Sequence, residues 1–73
     1  MEDKVKKIIA DMLGYELEEV TNEATLKTLG ADCLDEVEIL MELEKEFDIR
    51  IDDDYFELCK DVSDIIELVN RYI

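Results

Sequence analysis

Asp32-Cys33-Leu34-Asp35-Glu36-Val37-Glu38-Ile39-Leu40-Met41-Glu42-Leu43-Glu44-Lys45-Glu46-Phe47 reads as one helix with two apolar faces. Asp32 can accept from the free N–H groups of the first turn, the common role of aspartate at an N-cap. At about 100° per residue, Ile39, Leu40, Leu43 and Phe47 gather on one side, an ordinary core face. Leu34, Val37 and Met41 gather on the other, with Asp35, Glu38 and Glu42 running beside them. Two readings of the second stripe stay open. A short bundle can bury most of a central helix, which would make both stripes core. Alternatively the stripe is a docking strip, in which Leu and Met supply adaptable contact and the acids steer basic partners. A half-buried Val37 would lie between the two readings.

Either side of this segment the pattern is also helical. Val5, Ile8, Ile9 and Met12 recur at helical spacing, with Leu13 beside them, and Gly14 stops the run. Val62, Ile65, Ile66, Val69, Tyr72 and Ile73 repeat that spacing behind Asp61, a second N-cap candidate. Residues 55–59 are expected to form a short helical turn with Phe56 and Cys59 inward. Between Gly14 and Gly30 apolar residues recur singly, as Leu17, Val20, Leu26 and Leu29. That spacing predicts a long surface loop tacked to the core by those side chains. The expectation is therefore all-α, with three long helices and one short.

The 73 residues allow one small domain, with 8 basic and 22 acidic side chains and a net charge of −14. Leu, Ile, Val and Phe number 24, enough to argue for a folded core rather than disorder. The charge disfavours nucleic acid and anionic lipid and favours basic partners. No run approaches the ~20 apolar residues of a membrane span. Met1-Glu2-Asp3-Lys4 lacks the layout of a signal peptide, and Cys33 and Cys59 form no disulfide framework or metal cluster. A cytoplasmic location with reduced thiols is expected. An enzyme is not, since there is no His and little room for a catalytic cleft. Asp52-Asp53-Asp54 with Glu57 is rich in oxygen but lacks the glycine and twelve-residue layout of a calcium loop, so no metal site is assigned.

Leu29-Gly30-Ala31-Asp32-Cys33-Leu34-Asp35-Glu36-Val37-Glu38 resembles the signature of acyl carrier proteins of bacterial (type II) fatty acid synthesis. That signature runs Leu-Gly-Ala-Asp-Ser-Leu-Asp-x-Val-Glu. The resemblance extends to Val5-Lys6-Lys7-Ile8-Ile9, Leu13-Gly14, Glu19-Val20-Thr21-Asn22, Met41, Leu43-Glu44 and Glu46-Phe47-Asp48. It implies a single acyl carrier domain over residues 1–73, a four-helix bundle with a long loop after the first helix. In that family the Ser hydroxyl receives 4′-phosphopantetheine from coenzyme A, and the arm's thiol carries acyl groups as thioesters. The position matching that Ser is Cys33, with Asp32 beside it.

By the same resemblance, Leu34, Asp35, Val37, Glu38, Met41 and Glu42 match the family's partner-binding helix. The implied partners are fatty acid (or polyketide) synthesis enzymes and a phosphopantetheinyl transferase, all with basic docking patches. A monomer is expected. Leu26, Leu40, Leu43, Ile51, Phe56, Cys59 and Ile65 match the lining of the cargo cavity. Each of these also reads simply as core, Cys59 above all as a small buried hydrophobe.

The departure at Cys33 matters most, because a soft thiol attacks phosphorus poorly. Standard transfer of the arm is expected to be slow or absent. Three explanations stay open: a Ser-to-Cys change that blocks modification or offers a chemical handle, a carrier-like interaction module that has lost the arm, or a Cys33 that is itself modified by transfer or disulfide exchange. Asp52 stands where the family usually has Pro. Phe56 and Ile65 stand where many relatives have small residues, so any sheltered cargo is expected to be short, or the cavity closed in the free protein.

Overall fold

The computed structural model describes residues 1–73 and is helical throughout, with no strand. Helix α1 spans Glu2–Leu13, α2 Cys33–Phe47, α3 Asp53–Glu57 and α4 Val62–Tyr72. Three long helices and one short are thus present, and each boundary has a local cause.

Gly14 ends α1 in the left-handed conformation at φ 81°, its N–H donating to the Ala10 carbonyl. Glycine carries no Cβ penalty there. Asp32 caps α2 as the sequence predicts. Its carboxylate accepts from the Asp35 N–H at 2.9 Å, and the Asp35 carboxylate accepts from the Asp32 N–H at 3.2 Å. The reciprocal pair is a capping box built from two aspartates. Asp48 closes the helix at φ 55°, a conformation aspartate tolerates better than most residues.

Asp61 caps α4, accepting from the Asp64 N–H at 3.0 Å and the Ser63 hydroxyl at 2.7 Å. The Ser63 hydroxyl and then the Asp64 amide hold the Asp61 carboxyl below the usual 3.8. This cap is therefore intact above that pH and is lost as the pH falls through the lower folded value.

The fold departs from the sequence expectation at three places. The segment after α1 carries a 3-10 turn at Leu17–Glu19, closed by a capping box between Glu16 and Glu19, rather than unbroken loop. Leu17 sits on this turn exposed to solvent, so it does not tack the loop down; Val20 and Leu29 do, buried, with Leu26 half-buried. The short helix begins two residues before the expected turn, because the Asp52 carboxylate caps it at the Asp54 N–H (2.8 Å). Phe56 points inward as expected. Cys59 lies beyond the helix, half-buried, its Sγ donating to the Tyr55 carbonyl at 3.6 Å. Ile73 falls outside α4 and is exposed.

The long segment is also held by its backbone. The Val62 and Ser63 N–H groups donate to the Ala24 and Asn22 carbonyls at 2.8 and 3.0 Å. Two amides of the first turn of α4, which have no partner within the helix, are thereby satisfied by the loop. Helix α1 packs on α2 and α4, and α3 packs on α4. The core holds Val5 and Ile9 of α1, Val20 from the segment after it, Ile39 and Leu43 of α2, and Val62 and Val69 of α4, all essentially sealed from water. The stretch between α2 and α3 is pinned at its last two residues. Ile51 N–H donates to the Glu44 carboxylate at 2.8 Å, and Asp52 N–H donates to the Tyr72 hydroxyl at 3.2 Å.

Candidate functional site

The start of α2 is set by the turn before it. Thr25 and Thr28 hydrogen-bond to each other's backbone and hydroxyls within 3.1 Å, and the Ala31 N–H closes onto the Leu26 carbonyl at 2.9 Å. Gly30 takes φ 88°, which a Cβ would strain. The chain then turns at Asp32 and enters the helix. Cys33 is its first residue, exposed and unpaired. Hydrogen bonding along α2 begins only at the Glu36 N–H to the Asp32 carbonyl, 3.0 Å. The Cys33 and Leu34 amides therefore sit at the positive end of the helix dipole, where a phosphate linked to residue 33 is favoured.

Cys33 stands on the wall of a cleft of 180 Å³ between α2 and α3, with Glu36, Val37, Leu40, Asp53, Phe56 and Glu57. A neighbouring cleft of 140 Å³ is lined by Leu26, Phe56, Cys59 and Ile65 together with polar side chains, among them Lys27, Lys60 and Asp61. Of the residues matched to a cargo cavity, Leu40 and Phe56 thus face the first space, and Leu26, Phe56, Cys59 and Ile65 the second. Leu43 and Ile51 line neither and lie in the sealed core.

The second stripe of α2 resolves in favour of exposure. Leu34, Val37 and Met41 are 74%, 53% and 60% exposed, while Ile39, Leu40 and Leu43 of the opposite stripe are buried. Val37 is therefore open rather than half-buried. Glu38 and Glu42 are also exposed, and Asp35 is half-buried because its carboxylate serves the cap. Met12 of α1 joins Glu38, Met41 and Glu42 around one shallow depression. The helical spacing of α1 marked Met12 only as part of that helix's apolar face; its place beside α2 is a product of tertiary packing.

The two thiols differ in setting. Burial, then the carboxylates of Asp64 and Asp61, push Cys59 up from 9.0 to about 11. Its neutral form is favoured in the fold, so this contribution to stability is present below pH 9 and is lost as the pH rises toward 11. Iodoacetamide at pH 8 is expected to label Cys33 while leaving Cys59 nearly untouched, since the raised pKa cuts the Cys59 thiolate fraction about a hundredfold. Peptide mass mapping against time checks this. Comparable rates at the two residues would contradict the assigned burial of Cys59.

The helical scaffold thus offers an exposed thiol at a helix start, beside a cleft and an acid-edged apolar strip. The sequence matches the family described as phosphopantetheine attachment site over residues 3–69, and the chain belongs to that family. Domains of this family carry 4′-phosphopantetheine, bear acyl groups on it, and act with synthase enzymes rather than as catalysts themselves. The position of residue 33 fits such an arm: it is exposed, at a helix N-terminus, and opens onto a cleft. The attacking atom is a sulfur, so a bond formed there to phosphorus would be P–S rather than P–O. No helix is long and apolar enough to cross a membrane.

Proposed function

We propose that the chain is an acyl carrier protein of the type II fatty acid (or polyketide) synthesis kind, working as a cytoplasmic monomer over the single domain 1–73. Residue 33 is its arm position. The observation that carries this reading is the coincidence on one helix of an exposed residue 33, the cleft beside it and the exposed strip Leu34, Val37, Met41. When bound, the arm supplies the thiol that holds an acyl group as a thioester. The chain's own residues do the rest. Asp32 and Asp35 fix the start of α2, the opening amides favour the phosphate, and Leu34, Asp35, Val37, Glu38, Met41 and Glu42 dock the enzymes.

With Cys at residue 33, standard transfer is blocked in this chain as it stands. A second reading, a carrier-like interaction module with no arm, draws its support from that same residue. Intact mass after incubation with a phosphopantetheinyl transferase, coenzyme A and magnesium separates the two, run on the parent and on Cys33→Ser. Gain of the arm by the variant alone establishes a carrier scaffold blocked at Cys33. Gain by neither moves the interaction module to the front.

Both readings use the docking strip. Glu38→Lys is expected to weaken binding to a basic partner, such as the transferase, about tenfold at low salt, with the difference shrinking as salt rises. Met41→Ala weakens binding with little salt dependence, because it removes apolar contact rather than charge. Binding isotherms at two ionic strengths check both; unchanged affinity for both variants would place docking elsewhere.

A further inference from the structure

Helix α3 is 5 residues long, too short to hold itself together in water. Asp53, Asp54, Tyr55 and Glu57 are exposed and only Phe56 is buried, so little packing fixes it. The link before it carries two polar ties in opposite directions. The buried Ile51 gives its N–H to Glu44 of α2, and Asp52 gives its N–H to the Tyr72 hydroxyl in the last turn of α4, at 3.2 Å. The second tie joins residues 20 apart, where every other side-chain hydrogen bond joins residues within 7. Asp52 also caps α3 through its carboxylate, so the start of α3 is positioned by the residue that Tyr72 holds. The Tyr72 ring is half-buried against the core, so its hydroxyl is already in place to accept.

We propose that Tyr72 is a latch: its hydroxyl ties Asp52 to the end of α4 and sets how often α3 and the link before it swing out as a unit while the long helices stay packed. Segments with few buried contacts open locally, at a lower free energy than global unfolding. Cys59, two residues past α3, is half-buried with its Sγ donating to the Tyr55 carbonyl, so each opening uncovers that thiol. Helix α3 also supplies Asp53, Phe56 and Glu57 to the cleft beside Cys33, so the latch governs how long that side of the cleft stays in place. The inference goes beyond the carrier reading and does not depend on it.

The test reads the labelling rate of Cys59, with Cys33 as the internal standard. The protein is treated with methyl methanethiosulfonate near neutral pH, quenched at intervals, and both thiols are followed by peptide mass mapping. Tyr72→Phe keeps the ring and removes only the hydroxyl. It is expected to raise the Cys59 rate about fivefold, the effect of one ordinary hydrogen bond, with the Cys33 rate unchanged. The Cys59 rate stays flat in dilute urea, because a local opening exposes little surface. Asp52→Pro removes the donor, and the φ of −69° at this position suits proline. In that background Tyr72→Phe is expected to change nothing, since the hydroxyl has no N–H left to accept. Gly14→Ala, strained at φ 81° at the end of α1, lowers Tm but leaves the Cys59 rate where it was.

An unchanged Cys59 rate in Tyr72→Phe overturns the proposal. So does a rise that persists in the Asp52→Pro background, which would place the partner of the hydroxyl elsewhere. A Gly14→Ala variant that speeds Cys59 as much as Tyr72→Phe also overturns it, because Cys59 would then report unfolding of the whole domain. If Asp52→Pro does not fold, hydrogen exchange at the Asp52 amide decides. Its protection falls about fivefold in Tyr72→Phe if the latch exists and stays the same if it does not. No transferase takes part, so a failed latch and a failed carrier reading give different results in different assays.

Discussion

Cys33→Ser is expected to change the chain from one that takes no arm to one that takes it completely, with no measurable change in stability. Both halves follow from the setting. Residue 33 is exposed, its Sγ has no partner, and the capping box of Asp32 and Asp35 does the work of starting α2. Exchange of sulfur for oxygen there touches no packing, and such surface changes stay within about 0.5 kcal/mol. The chemistry changes in kind, since a hydroxyl forms the phosphodiester that a thiol does not. Intact mass with and without reductant reads the result. A reductant-stable gain by the parent would show that the sulfur is a competent nucleophile after all. A gain that reductant removes would show disulfide capture at a thiol.

Leu43→Ala carries the largest expected loss of stability. Leu43 is 0% exposed on the core face of α2, where truncation leaves a cavity among well-packed neighbours. Such changes cost about 2–5 kcal/mol. A core of this size supplies only about 3–5 kcal/mol in all. The variant is therefore expected to lose about 15 °C or more in Tm and to be partly unfolded at room temperature. Met41→Ala on the same helix is the control, expected within about 0.5 kcal/mol of the parent because its side chain is 60% exposed. Thermal unfolding followed by helical circular dichroism compares them. Equal losses for the two would mean that both stripes of α2 are buried, against the arrangement described.

The contrast between those two leucine and methionine positions shows where sequence reading stops. Helical spacing in α1, α2 and α4, the aspartate caps at 32 and 61 and the stop at Gly14 are short-range properties, set by hydrogen bonds and periodicity within a few residues. They were legible along the chain. So was the family, from the run around Asp32-Cys33-Leu34. The extent of α3 was not, because it hangs on one Asp52 carboxylate meeting one amide. The 3-10 turn at Leu17–Glu19 was missed for the same kind of reason, a local carboxylate pairing with weak periodicity around it.

Other facts needed three dimensions. A wheel shows that α2 has two stripes but not which one neighbouring helices cover; the packing of α1 decides that Leu34, Val37 and Met41 face water. Met12 comes beside Glu38, Met41 and Glu42 only because α1 lies against α2. Of the seven residues matched by position to a cargo cavity, Leu43 and Ile51 lie in the core and line neither cleft, while Leu26, Leu40, Phe56, Cys59 and Ile65 each line at least one. The order of residues along the chain is enough to place the helices and their aspartate caps, because those depend on neighbours a few residues away. Which apolar side chains are core, which line a cleft and which face water needs the packed fold, because burial depends on what is brought alongside from distant parts of the chain.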